Sequence, residues 1–169
     1  MSDERKTAIV TGASQGIGAG IANAFVQRGF NVVATSRKVT QSTEVAASDH
    51  VALVDGDIGE PATAAKIVET ALARFGSIDV LVNNAGIFFT KPFIDYTADD
   101  FRSLVSTNLD GFLYITQLAV KQMLAQQTGG SIVTITAALA RNPIRGVPAA
   151  VPMITKGGLE TITQHLAME

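Results

Sequence analysis

The chain contains no cysteine and no tryptophan, only two histidines and two tyrosines, and almost no excess of charge of either sign. Without cysteine there is no disulfide, no thiolate metal site and no cysteine nucleophile. His50 and His165 show no ligand spacing, so no metal is expected, and each reads as a surface or helix-face residue. A net charge of −2 lacks the basic excess that a broad nucleic-acid surface needs. No apolar run approaches the roughly 20 residues that cross a bilayer, and the opening Met-Ser-Asp-Glu-Arg-Lys is unlike a signal peptide. These absences lead to the expectation of a cytoplasmic, soluble protein with no nucleic-acid or membrane partner.

What is present is apolar and rich in glycine: 47% hydrophobic residues and 15 glycines in 169 residues. That length suits one domain with a real core, expected over 1–169. The β-branched run Thr7–Val10 reads as a buried strand, and Ile17, Ile21, Ala24 and Phe25 follow at helical spacing up to a stop at Gly29. Between them lies Thr11-Gly12-Ala13-Ser14-Gln15-Gly16-Ile17-Gly18. Glycine at 12 permits a sharp turn, glycine at 16 leaves room for a phosphate, and glycine at 18 brings the helix close to the strand. The helix N–H groups then face an anion. An ordinary glycine turn is the plainer alternative, and the flanking strand and helix argue against it.

Further along, strands are expected at Asn31–Thr35, His50–Val54, Ile78–Val82 and Ser131–Thr136. Helices are expected from Pro61 to Gly76, with a stripe of Ala64, Val68, Ala71, Leu72 and Phe75, and from Thr97 towards Leu124, ended by Gly129-Gly130. The polar stretch before Ser48 has room only for a small helix. Pro143, Gly146, Pro148 and Pro152 read as a loop, followed by a last helix carrying Ile154, Leu159, Ile162 and Leu166. Strands alternating with helices imply a doubly wound α/β fold with a parallel sheet, a Rossmann fold, with ligands at the carboxyl ends of the strands.

In such a fold an acid after the second strand would hold the adenosine ribose. Here Ser36 stands there, followed by Arg37 and Lys38. Loss of the acid removes repulsion against a 2′-phosphate, and a guanidinium can grip that phosphate. NADP(H) is therefore expected over NAD(H); the alternative is that these cations are solvated loop charges. Asp57 is placed to bond adenine. Arg141 and Arg145 read as solvated loop charge.

These motifs resemble the short-chain dehydrogenase/reductase family from about Lys6 to the end of the chain. The run TGASQGIG is similar to that family's TGxxxGIG, Asp57-Ile58 to its adenine-contacting pair, Asn83-Asn84-Ala85-Gly86 to its NNAG, and Asn108 to the Asn of its catalytic tetrad. The resemblance implies that Gly12, Ser14, Gln15, Gly16, Ile17 and Gly18 surround the pyrophosphate, and that Asn84, Ala85 and Gly86 flank the adenosine and ribose. It implies hydride exchange with a small carbonyl or alcohol, and a homodimer or homotetramer formed through the helices 97–127 and 153–168. Lys156 fits the Lys of the family's YxxxK, with a catalytic and a ribose-holding role.

Two departures accompany the likeness. Pro152 occupies the place of the Tyr and Ala137 that of the Ser, so only Asn108 and Lys156 remain of four catalytic positions. Weak or absent reductase activity is expected, and a nucleotide-binding protein without chemistry, or a dimerising interaction module, is the alternative. The family also continues through two further strands. The chain is expected to be an incomplete version of the domain, with the strand at 131–136 left as an open edge.

Overall fold

The structure is a computed structural model describing residues 5–169; Met1–Glu4, most of the opening segment read above, lie outside the described residues. Five strands, β1 (Thr7–Thr11), β2 (Asn31–Ser36), β3 (Val51–Asp55), β4 (Val80–Asn83) and β5 (Ser131–Thr134), form one sheet in the order β3-β2-β1-β4-β5. Every pairing is parallel, with Ile9 opposite both Val33 and Leu81. The order reverses beside β1, so the segments after β1 and β4 diverge to opposite faces and leave a crevice between them.

Strand alternation divides the core in two. Val10, Val32, Ala34 and Val82 pack on one side with Ala19 and Ala22 of α1 (Gly16–Gln27). Ile9, Val33, Val54 and Leu81 pack on the other with Ile67 and Ala71 of α2 (Pro61–Phe75) and Ile115 of α4 (Gly111–Gln126). All five residues of β1 are buried, as a central parallel strand covered on both faces should be. Truncating Ile9 or Leu81 to Ala would cost about 2–5 kcal/mol.

The helix ends follow local chemistry. Pro61 occupies the first turn of α2 and Gly76, at φ +80°, closes it. Thr97 and Asp100 form a reciprocal capping box at the start of α3 (Ala98–Val105). Several expectations need correction. The single helix expected from Thr97 is α3 and α4 joined by a π-helical turn, Ser106–Asp110, which a 3.6-residue pattern does not register. It ends at Gln127 in the left-handed region (φ +57°), before Gly129-Gly130. The last helix, α5 (Ala150–Leu166), begins ahead of Pro152. Proline is tolerated in a first turn, where the N–H has no intrahelical acceptor. Its buried face carries Val151, Thr155, Lys156 and Leu159, while Ile154 and Ile162 of the expected stripe point outward, Ile154 at 54% exposure. The polar stretch after β2 holds one 3₁₀ turn, Val39–Gln41. The strand boundaries move by one or two residues.

Among the described residues β5 pairs only with β4, and Val133 is 46% exposed. No helix of the described residues is long and apolar enough to cross a membrane.

Candidate functional site

The tips of β1 and β4 are sewn together. Thr11 Oγ1 accepts the backbone N–H groups of Asn84 (3.0 Å) and Ala85 (2.9 Å). Asn84 Nδ2 donates to the carbonyls of Thr11 (2.9 Å) and Gly12 (3.1 Å). Two glycines are required by this closeness. A Cβ at Gly12 would lie 2.8 Å from Ala85 Cα, and one at Gly18 would lie 2.2 Å from the carbonyl oxygen of Gly12. At Gly16 (φ +57°) a Cβ would meet nothing within 4 Å, so that side of the turn is open.

The result is a cleft of about 580 Å³ at the carboxyl ends of the strands. Gly12, Ser14 and Gln15 line it from the turn, Ser36 and Arg37 from β2, Asp57 and Ile58 from β3, and Ala85 and Gly86 from β4. Gly16, Ile17, Gly18, Asn84 and Lys156 are not in its wall. Gly18 and Asn84 act behind it as backbone packing and brace, and Ile17 is exposed. Lining residues that the motifs did not single out are Thr35, Gly56, Ile87 and Thr107. The signal for Thr35 and Gly56 was available, since each stands at the carboxyl end of a strand. Thr107 lies on the π-helical turn and had none.

Electrostatics at the β2 end favour an anion. Arg37 and Lys38 both border the cleft, and neither has an acid within 4.0 Å among the described residues. The nearby Asp55 is turned aside: its carboxylate accepts the Thr40 hydroxyl and the Thr40 N–H (2.9 Å). Those bonds, the hydroxyl's first, hold it below the usual carboxylate range. Asp57 accepts the N–H of Gly59 (3.0 Å) and still borders the cleft.

At the other end the π-helical turn places Asn108 in the interior. Its Oδ1 accepts Ile87 N–H (2.8 Å), while Nδ2 donates to Ile87 O (3.1 Å) and to Thr155 Oγ1 (2.9 Å). Thr155 in turn donates to the carbonyl of Pro152 (2.8 Å). Lys156 Nζ donates to Ile135 O (2.9 Å), and burial holds its pKa below the ordinary lysine value. A Cβ on Gly86 would lie 3.1 Å from Lys156 Nζ and 3.2 Å from Asn108 Oδ1, so the fold brings these three residues together. Ala137 precedes a short 3₁₀ turn, and Pro152 is buried in the first turn of α5; neither side chain carries an exchangeable proton.

No phenol reaches this place. Tyr96 donates to Phe89 O (2.9 Å) and accepts Lys91 N–H (3.1 Å), and Tyr114 packs against the α2–α4 core. Arg141, expected as solvated charge, pairs with Glu160 of α5 at 2.5 Å, tying the loop to the helix. Among the described residues no cluster of His, Asp and Glu could hold a metal. The arrangement can therefore seat a phosphate-bearing ligand along the glycine turn. Beside Gly86 it places the Lys156 amine and the Asn108 amide.

Comparison with known proteins agrees with this geometry. The short chain dehydrogenase family model matches residues 6–169. An NADP-dependent (R)-specific alcohol dehydrogenase of Lentilactobacillus kefiri is 33% identical over 170 residues, covering 97% of this chain and 66% of that protein. The 3-ketoacyl-(acyl-carrier-protein) reductase from Brucella melitensis, solved with NADH, superposes with a TM-score of 0.91 at 30% identity, over 98% of this chain and 70% of the other. A gluconate 5-dehydrogenase from Burkholderia cenocepacia, solved with NADP and tartrate, gives 0.84 at 27% identity, over 96% and 65%. The chain thus spans just under two thirds of the length of the alcohol dehydrogenase it matches. A glycine turn on a reversing parallel sheet, matched nearly end to end by one family, has one reading: the chain belongs to the short chain dehydrogenase family.

Proposed function

We propose that the chain is an NADP(H)-binding oxidoreductase of this family whose hydride transfer to a small carbonyl, or from a small alcohol, is weak. The observation that carries the cofactor reading is the unpaired Arg37 and Lys38 bordering the same cleft as Ser14 and Ser36, with no carboxylate on β2. The residues fit the group. Gly12, Ser14 and Gln15 would meet the pyrophosphate, Arg37 a 2′-phosphate, Asp57 and Ile58 the adenine, and Ala85 and Gly86 the ribose side. Gly18 and Asn84 would brace that set from behind the cleft wall, and Gly16, Ile17 and Lys156, beside it, would meet the phosphates and the nicotinamide ribose. The bound nicotinamide would supply or accept the hydride.

The weakness follows from proton handling. A reduced carbonyl needs a proton on its oxygen, and a positioned donor supplies about 10² to 10⁴ in rate. Both Nδ2 hydrogens of Asn108 are taken by Ile87 O and Thr155 Oγ1, and Lys156 Nζ donates to the carbonyl of Ile135. This supports the second reading, a protein that binds the dinucleotide without turning it over. A homodimer or homotetramer through helices 97–127 and 153–168 is part of the proposal, as is a cytoplasmic setting.

The test is a binding titration of the purified chain with NADPH and with NADH, followed by turnover with a panel of small ketones and aldehydes. Saturable binding with NADPH tighter is the expected result. Binding of neither overturns the proposal, and equal affinity removes its preference for the phosphorylated cofactor. Binding without turnover selects the second reading.

A further inference from the structure

The connector between β2 and β3 does more than join strands. Ser42 Oγ donates to the carbonyl of Ser14 (2.7 Å), Glu44 N–H donates to Ser42 Oγ (3.0 Å), and Asn23 Nδ2 donates to the carbonyl of Glu44 (2.9 Å). Val45 is buried in the core beside Ala19 and Ala22. The strap so fastened delivers the Glu44 carboxylate to the start of α1, where Oε2 accepts the N–H of Gly16 at 3.1 Å. That helix has no acid in its first turn, and Gln15 at its N-cap makes no side-chain cap bond. Glu44 therefore serves as the anion for this helix end, supplied from a distant part of the chain.

We propose that Glu44 is a specificity-determining residue, one whose charge opposes Arg37 and Lys38 and weakens selection of a 2′-phosphorylated dinucleotide. The inference rests on the nucleotide reading of the cleft. Gly16 follows Ser14 and Gln15, which border the cleft together with Ser36, Arg37 and Lys38. A phosphate held by these residues enters the field of the same helix end that Glu44 already occupies. Two anions at one helix terminus repel, and Glu44 has no basic partner within 4.0 Å among the described residues to neutralise it. The pyrophosphate is common to both dinucleotides and meets the Glu44 charge in either one, so what separates them is the additional repulsion on the ribose phosphate, which the plain dinucleotide lacks. Net preference is then set by two cations on one side and one carboxylate on the other.

The experiment compares dissociation constants for NADPH and NADH in the wild type, Glu44→Gln and Glu44→Asp, with far-UV circular dichroism on each. Gln keeps an acceptor for Gly16 N–H and removes the charge. It is expected to tighten NADPH about threefold to tenfold at low salt and NADH by less, the gain shrinking at about 0.5 M salt. Asp retains the charge at the same helix end, and its NADPH/NADH ratio should stay within about twofold of the wild type. Wild-type binding with an unchanged ratio in Glu44→Gln overturns the role of Glu44 alone; an Asp variant whose ratio rises overturns it as well, even if the Gln variant fails to fold. Failure of a natively folded wild type to bind either dinucleotide removes the nucleotide reading, and this inference falls with it.

Discussion

The glycine end of the cleft and the stretch from β5 into α5 differ in what builds them. At the glycine end the work is done by backbone: N–H groups, carbonyls, and the missing Cβ atoms at Gly12, where the turn after β1 meets the segment after β4, and at Gly18, where α1 meets the turn. In the other region function would depend on particular side-chain atoms, and two of the positions carry a methyl group and a pyrrolidine ring. Neither substitution costs the fold anything visible. Pro152 sits in a first turn that accepts it, and Ala137 lies in extended backbone at φ −141°. The turn is held to glycine by packing, whereas the side chains at 137 and 152 can differ in chemistry while the sheet stays intact.

The sharpest way to break this contrast is to restore the missing groups. Ala137→Ser combined with Pro152→Tyr should raise turnover by about 10² to 10⁴, measured by NADPH oxidation with a small ketone. An unchanged rate with the cofactor still bound would show that the losses at these two positions are not what limits the chemistry. Next in size, Gly18→Ala should destabilise by about 3 kcal/mol in urea unfolding because its Cβ meets backbone. Gly16→Ala, with open space around it, should cost only about 1 kcal/mol from its positive φ. Equal losses at the two positions would mean that the close packing of α1 on the turn is not what demands glycine.

Arg37→Gln probes the electrostatic half of the cradle. NADPH affinity should fall about tenfold while NADH changes by less than about twofold. A parallel loss of both would place Arg37 on the pyrophosphate or in the fold. The smallest effect lies outside both regions. Asp100 accepts Lys91 Nζ (2.7 Å) and Thr97 N–H, and these bonds, the lysine's first, hold its pKa down from 3.8 to about 2. The folded state takes up this proton at lower pH than the unfolded chain. The contribution is therefore full above the unfolded value and lost as pH falls from 3.8 towards about 2. Asp100→Asn should flatten that acid limb slightly in a series of urea midpoints.

Much of this molecule could be read from residue order. The alternation of β-branched runs with helical stripes dictates a parallel sheet, because hydrophobic period and turn residues are local properties. The glycine spacing after β1 locates the crevice for the same reason, and the residue types at 137 and 152 are equally plain from the sequence. Tertiary structure decided the rest, because those features join residues distant in the chain. It turned Asn84 inward as a brace across 73 residues to Thr11, and put a π-helical turn at Asn108 so that it meets Ile87 and Thr155. It also brought Glu44 to the N–H of Gly16. Periodicity records which face of a helix is apolar; which polar groups meet across a crevice depends on how the strands are ordered, and that order exists only in the folded chain.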